Sequence, residues 1–309
     1  MIVVFVAVMV AGIGGMVFGS HRAVGSASAL AATSRLPPFF IGITLLAIGT
    51  DLPEIANSLI ASATDHGDVN VGDSVGSAAT QATLILGLLP ILAGALMVPR
   101  RGVFVTGMLT MVALCVLALL VSDGHIGRVD AAIMLSIWLG GSWLVLGRLS
   151  EPQQLSLPEP SDDPKRTLVI RTLLALALVG VSASISLWGI LGIAEELSAP
   201  EFLVGFFIAS IGTSLPELVF DVTAVRRGET AMAIGDLMGA CFLDATLSVA
   251  IGPLFFPTAL TLSEVRPAIW WSAVAMGIVT LLMSRIRRHD WRSGVILIGI
   301  YAGFFVVLL

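Results

Sequence analysis

Charge is scarce in this chain. Asp, Glu, Lys and Arg make up 12% of its 309 residues, against roughly 25% in an ordinary soluble domain. That shortage excludes a soluble enzyme and a disordered chain. Basic residues are the scarcer sign: sixteen Lys and Arg against twenty-one Asp and Glu give a net charge of −5, which leaves no basic face for nucleic acid. Cysteine is nearly absent. Cys115 and Cys241 both sit inside apolar runs, so they form neither a disulfide framework nor a zinc spacing and read as small buried hydrophobes. Four histidines, His21, His66, His125 and His289, fall in or near loops and make no metal-binding set. Period-2 alternation is also missing, and the apolar segments are too long for strands, which argues against a transmembrane β-barrel.

What the chain has instead is apolar residues, 57% of the total, in runs of about 20 separated by short polar breaks. That is the length a helix needs to cross a bilayer. The runs predict an all-α integral membrane protein with ten transmembrane helices, at about 1–20, 38–64, 70–97, 103–122, 128–147, 168–194, 201–225, 230–257, 266–284 and 292–309. No positive region precedes the first run, so it reads as a span rather than a signal peptide. The longest break, RLSEPQQLSLPEPSDDPKRT at 148–167, is rich in Pro and charge and reads as a solvated cytoplasmic linker. Trp270, Trp271 and Trp291 lie near span ends, as interfacial anchors do.

Lys and Arg fix the expected orientation. With the N-terminus outside, the inside loops hold fourteen of the sixteen, and the outside loops hold only Arg128 and Arg266. This asymmetry follows the positive-inside rule and puts both termini outside. The compact size and the lack of a targeting segment point to a prokaryotic plasma membrane.

The chain repeats itself. PPFFIGITLLAIGTDLPE (Pro37 to Glu54) returns as PEFLVGFFIASIGTSLPE (Pro200 to Glu217), and GDSVGSAATQATL (Gly72 to Leu84) as GDLMGACFLDATL (Gly235 to Leu247). The offset is 163 residues throughout, with 17 identities in the 54 ungapped positions of 37–90 against 200–253. The division is a first five-helix repeat at 1–147, the linker at 148–167 and a second five-helix repeat at 168–309. Five spans per copy turn the second copy over. Such inverted repeats are common in secondary transporters, which place the substrate site near the midplane between the copies.

Seven carboxylates of the repeats lie at membrane depth: Asp51, Glu54, Asp73, Glu217, Asp221, Asp236 and Asp244, with no Lys or Arg in those spans to pair with them. An unpaired charge at the bilayer centre costs at least ~2.5 kcal/mol. Three explanations are open: protonation, a position near a span end facing water, or cation coordination. The local chemistry fits coordination. Gly49-Thr50-Asp51-Leu52-Pro53-Glu54 and Gly212-Thr213-Ser214-Leu215-Pro216-Glu217 place Gly and Pro at mid-span. Proline removes a backbone donor and frees carbonyl oxygens to line a cavity. Thr50 and Glu54 share a helix face, as do Thr213 and Glu217. Asp73, Ser77 and Gln81 make one polar stripe, and Asp236, Ala240 and Asp244 repeat its spacing. Gly72 with Gly76, and Gly235 with Gly239, form G-x-x-x-G pairs expected to pack closely beside these stripes. Oxygen-only ligands suit hard cations such as Ca²⁺, Na⁺ or Mg²⁺.

At these residues the chain resembles the calcium/cation antiporter superfamily, and within it the prokaryotic sodium/calcium exchanger family. GT-x-LPE followed by a G-D-x-x-G stripe, twice in an inverted repeat, carries the resemblance. The resemblance implies that Glu54 and Glu217 are the central Ca²⁺ ligands. It implies that Thr50 and Thr213 give backbone and side-chain oxygens, and that Ser214, Ser77 and Asp244 complete the set. It also implies that spans 1–20 and 168–194 slide over a fixed core. The chain departs from the family pattern in several places. Asp51 stands where Ser is usual, and Asp73 and Asp236 where Asn is. Ala240 replaces Ser, Ala78 and Cys241 replace the second Asn, Gln81 replaces Asn or Asp, and Asp221 is an additional acid. Asp51, Glu54, Glu217 and Asp244 thus make four core carboxylates in place of three. The fourth is expected to hold an extra Na⁺ or to stay protonated.

The expectation is therefore a secondary antiporter rather than an enzyme. It would exchange Na⁺ for Ca²⁺ by alternating access at overlapping sites, with no cofactor and with the bilayer as its only evident partner. The alternative is an H⁺-coupled antiporter of Ca²⁺ or another cation, motivated by Asp51. A channel is a further alternative. An intramembrane aspartyl protease is remote, because neither Asn70-Val71-Gly72-Asp73 nor Ala233-Ile234-Gly235-Asp236 carries the first Gly of a Gly-x-Gly-Asp motif.

Overall fold

The computed structural model describes residues 2–34, 37–149, 161–196 and 210–308. Most of the linker and the first ten residues of the second copy of the repeat, 200–209, lie outside the described residues. The described residues are almost entirely helical. In chain order the helices are α1 (Ile2–Ser34), α2 (Pro38–Thr50), α3 (Leu52–Ala63), α4 (Gly67–Leu92), α5 (Arg100–Leu120) and α6 (Arg128–Leu149). They continue with α7 (Lys165–Glu196), α8 (Ser210–Thr213), α9 (Leu215–Arg226), α10 (Thr230–Phe255), α11 (Leu262–Arg285) and α12 (Trp291–Leu308). Seven of them are long and apolar enough to cross a membrane, and α2 with α3, bent by 44° at Asp51, makes an eighth. This is a multi-pass helical membrane protein.

The first run was expected to end near residue 20. The helix instead continues to Ser34, 33 residues in all. At 1.5 Å per residue that is about 50 Å, longer than the ~30 Å hydrocarbon core. The continuation, SHRAVGSASALAATS, is polar enough to end an apolar run but rich in residues a helix tolerates.

Burial sorts the helices. In their most apolar stretches α4 and α10 are 78% and 83% buried, whereas α1 and α6 are 22% buried. α4 and α10 are therefore the centre, and α1 lies against the outside. α1 packs along α7 through small residues: a side chain at Gly12 or Gly15 would strike Ser182 or Ser186, and one at Gly189 would strike Phe5 and Met9. Near the break in the second repeat, Met16, Val179 and Ala183 pack on Leu215 and Val219.

α2 lies backbone to backbone on α10. A Cβ at Gly235 would sit 2.4 Å from the Phe39 carbonyl oxygen, and one at Gly239 would sit 2.7 Å from Ile43 Cα. The first-repeat pair is different. Gly72 has nothing among the described residues within 4 Å of a built Cβ; residues 200–209, the counterpart of the α2 segment that Gly235 and Gly239 meet, lie outside the described residues.

Two short antiparallel ribbons join loops of the two halves. β1 (Leu96–Met97) pairs with β4 (Arg288–His289), and β2 (His125–Ile126) pairs with β3 (Thr258–Ala259).

Candidate cation-binding site

The site begins at two helix breaks. Pro53 has no N–H for the Gly49 carbonyl, and Pro216 has none for that of Gly212. Asp51 (φ −78°, ψ 5°) and Ser214 (φ −84°, ψ 9°) leave the helical region at equivalent positions. Both occupy the N-cap of the following helix, where Asp and Ser normally bond the exposed N–H groups of the first turn. Neither does so here. Both side chains are fully buried, and their oxygens have no hydrogen-bond partner among the described residues. They turn inward instead of capping.

Glu54 and Glu217 follow in the first turns of α3 and α9, also fully buried with unpartnered oxygens. One oxygen each of Asp51, Glu54 and Glu217 lie within 4.8 Å of one another. Ionised carboxylates at that spacing repel by about 3 kcal/mol per pair at an effective dielectric near 20. None of the groups acting on them is Lys or Arg. The geometry suits a hard cation, which collects carboxylate and hydroxyl oxygens.

The centres of α4 and α10 each contain one π-helical turn, Gln81–Ile85 and Asp244–Ser248. Such turns re-aim side chains and frequently mark functional positions. Here they start at equivalent residues, and these meet: Gln81 and Ser248 lie beside the buried Asp244 carboxylate. Asp244 acts electrostatically on Asp51 and Glu54 but stands outside their 4.8 Å group.

Asp73 has a different environment. Its Oδ2 accepts from Asn57 Nδ2 at 2.6 Å, and its Oδ1 accepts from Thr213 Oγ1 at 3.5 Å. Ser77 Oγ lies 3.3 Å from the same Thr213 hydroxyl. The expected stripe of Asp73, Ser77 and Gln81 therefore divides, two members meeting Thr213 and the third lying beside Asp244. Thr50 lies beside Asp236 and Glu217. Asp236 is buried beside Asp221 rather than beside Asp244. Sequence reasoning missed Asn57 and Ser248. Each had a signal available: Asn57 is a polar residue one turn after Glu54, and Ser248 lies four residues after Asp244.

α7 covers one break, since a Cβ at Gly49 would strike Leu176 Cδ1 at 2.4 Å. The result is a helical membrane protein with an acid-lined interior at two broken helices. The model of the family described as sodium/calcium exchanger protein matches residues 4–147 and 167–309. The chain belongs to that family, which is one of ion exchangers and not of enzymes. It is 31% identical to the inner membrane protein YrbG of Escherichia coli (strain K12) over 277 residues, covering 84% of this chain and 81% of YrbG. It is 24% identical to the sodium/calcium exchanger MaX1 of Methanosarcina acetivorans, over 100% of this chain and 99% of that one. The fold matches the sodium-calcium exchanger NCX_Mj with a TM-score of 0.82 at 23% identity, covering 100% of both chains.

Proposed function

We propose that this protein is a secondary antiporter that exchanges Na⁺ for Ca²⁺ across the plasma membrane. The observation that carries the reading is the convergence of Asp51, Glu54 and Glu217 within 4.8 Å at two equivalent helix breaks, with no basic group acting on them. Family membership supports it. So does the likeness to NCX_Mj, a protein whose structures were determined after soaking with Na⁺ and Ca²⁺.

In this reading Glu54, Glu217, Asp51 and Asp244 carry the charge of the site. Thr50, Thr213, Ser77, Ser214 and Gln81 supply neutral oxygens, and Asp73 and Asp236 flank them. Ca²⁺ and Na⁺ are cargo competing for the same carboxylates, and that competition couples their fluxes. The architecture is ten spans in two inverted five-helix halves, 1–147 and 168–309, joined by the linker 148–167. Both termini face outside, as the Lys and Arg distribution supports. α1 and α7, packed on each other through small residues and lying over the breaks, are the pair that slides to expose the site to either side.

The test is flux. Purified protein in liposomes loaded with Na⁺ is diluted into Na⁺-free buffer, and radioactive Ca²⁺ uptake is followed. Uptake that disappears without the Na⁺ gradient is the expected result. Uptake that instead follows a pH gradient with Na⁺ absent overturns the coupling.

A further inference from the structure

The two repeats treat their equivalent acids differently. In the first, Asp73 is satisfied by the Asn57 amide and the Thr213 hydroxyl. Ser58, four residues after Glu54, accepts from the Gly252 N–H at 3.1 Å. In the second, the residue equivalent to Asn57 is Phe220, a core side chain that donates nothing, and the residue equivalent to Ser58 is Asp221. Asp236, the equivalent of Asp73, therefore meets a carboxylate where its counterpart meets an amide.

Asp221 and Asp236 are both 0% exposed, and all four of their carboxylate oxygens have no hydrogen-bond partner among the described residues. The remaining neighbour does not repair this. The Thr50 hydroxyl has one proton, and it hydrogen-bonds the Leu46 and Ala47 carbonyls at 3.2 and 3.3 Å. That single proton is all Thr50 has to share between those carbonyls and Asp236. Two carboxylates and a hydroxyl thus converge with one shared hydroxyl proton among them, an arrangement that burial makes costly unless a positive charge lies between.

We propose that Asp221 and Asp236, with the Thr50 oxygen, form a second cation seat between α9 and α10 that takes a hard cation, Na⁺ or Ca²⁺, separately from the Asp51–Glu54–Glu217 group. It deepens the antiport reading and rests on it for the ions that reach the seat. Glu217 of the central group stands four residues before Asp221 on the same helix face and acts electrostatically on both Asp221 and Asp236, which places the seat one turn along α9 from the central acids.

Ligand-linked stability tests the seat without any transport step, because an ion bound only by the folded protein raises its melting temperature. Purified protein in detergent is melted against increasing NaCl and, separately, CaCl₂, with choline chloride holding ionic strength constant. On a Glu54→Gln background, which impairs the central group, a cation-dependent rise in melting temperature is expected to remain. Adding Asp221→Asn, or Asp221→Ser to reproduce the first-repeat residue, is expected to abolish that residual rise. The salt that produces the residual rise identifies the cation. An equal rise in the single and double variants, or none in Glu54→Gln alone, overturns the seat; the acids then share a proton. If both double variants fail to fold, Asp236→Asn on the same background takes their place and is read the same way. Failure of the antiport reading would appear separately, as Ca²⁺ uptake indifferent to Na⁺ in the wild-type protein.

Discussion

His289 Nε2 lies 2.8 Å from the Leu86 carbonyl oxygen, 203 residues away in sequence. A carbonyl only accepts, so the imidazole carries its proton there and donates. Leu86 needs a donor because Pro90, four residues on in α4, has no N–H to give it. The second repeat has the same defect. Pro253 leaves Val249 without its helical partner, and Asn70 Nδ2 donates to it at 3.1 Å. In α4 and α10 the carbonyl freed by proline is closed by a side chain from the other half.

Removing either donor exposes the defect. His289→Leu and Asn70→Leu should each destabilise by about 1–3 kcal/mol, the penalty for a buried polar group left unpaired. Thermal melting in detergent measures it. A shift no larger than that of an exposed control such as Ser136→Ala would show that water closes the carbonyl instead.

The same histidine gives a pH dependence. Burial pushes the His289 imidazole below its ordinary value near 6.5, outweighing the Leu86 carbonyl and nearby Asp290, which favour the charged form. Below that pH the unfolded chain binds a proton that the folded chain resists. The contribution is therefore complete above about pH 6.5 and is lost progressively as pH falls below it. The difference in melting temperature between wild type and His289→Gln should shrink on acidification from pH 8 to pH 5. A difference constant over that range would refute the assignment.

Glycine substitutions should separate by position, not by motif. Gly235→Ala puts a methyl 2.4 Å from the Phe39 carbonyl oxygen in a backbone contact that cannot yield cheaply. We expect a loss of about 1–3 kcal/mol. Gly72→Ala meets nothing within 4 Å among the described residues and should be neutral or stabilising by up to ~1 kcal/mol, since alanine suits a helix better. Melting both variants side by side decides it. Equal losses would mean that the two G-x-x-x-G pairs do equivalent work.

Glu54→Gln and Glu217→Gln should reduce Na⁺-driven Ca²⁺ uptake by about 100-fold or more, as loss of a buried charged partner is worth at least ~3 kcal/mol. Neither should unfold the protein. In cation-free buffer each should melt higher than wild type, because one mutual repulsion is gone. Full exchange by either variant would exclude these glutamates from the transport path.

Much of this was legible in the chain. The fixed offset of 163 pairs Asp51 with Ser214, Glu54 with Glu217 and Gln81 with Asp244. Pro53 and Pro216 mark the breaks, because the absence of an N–H is a property of the residue and not of its surroundings. The length of α1 was not legible, since apolar content ends a run where helical hydrogen bonding does not. Nor was the division of the polar stripes. Spacing assigns Asp236 and Asp244 to one helix face but not to the neighbours each one meets.

By itself, then, the sequence determined the bilayer setting, the repeat, the two breaks and the identity of the acids. Each follows from composition, periodicity or a residue's own covalent chemistry. Tertiary structure alone decided which groups converge. Asp51, Glu54 and Glu217 come from segments about 160 residues apart, and they meet within 4.8 Å only because the helices carrying them are brought together. The close approach of α2 to α10, which Gly235 and Gly239 permit, is one of the contacts that sets how those helices lie. The same packing gave Asp73 an amide and Asp236 a second carboxylate. Distances across helices depend on how close two backbones can come, and no spacing along one chain encodes that.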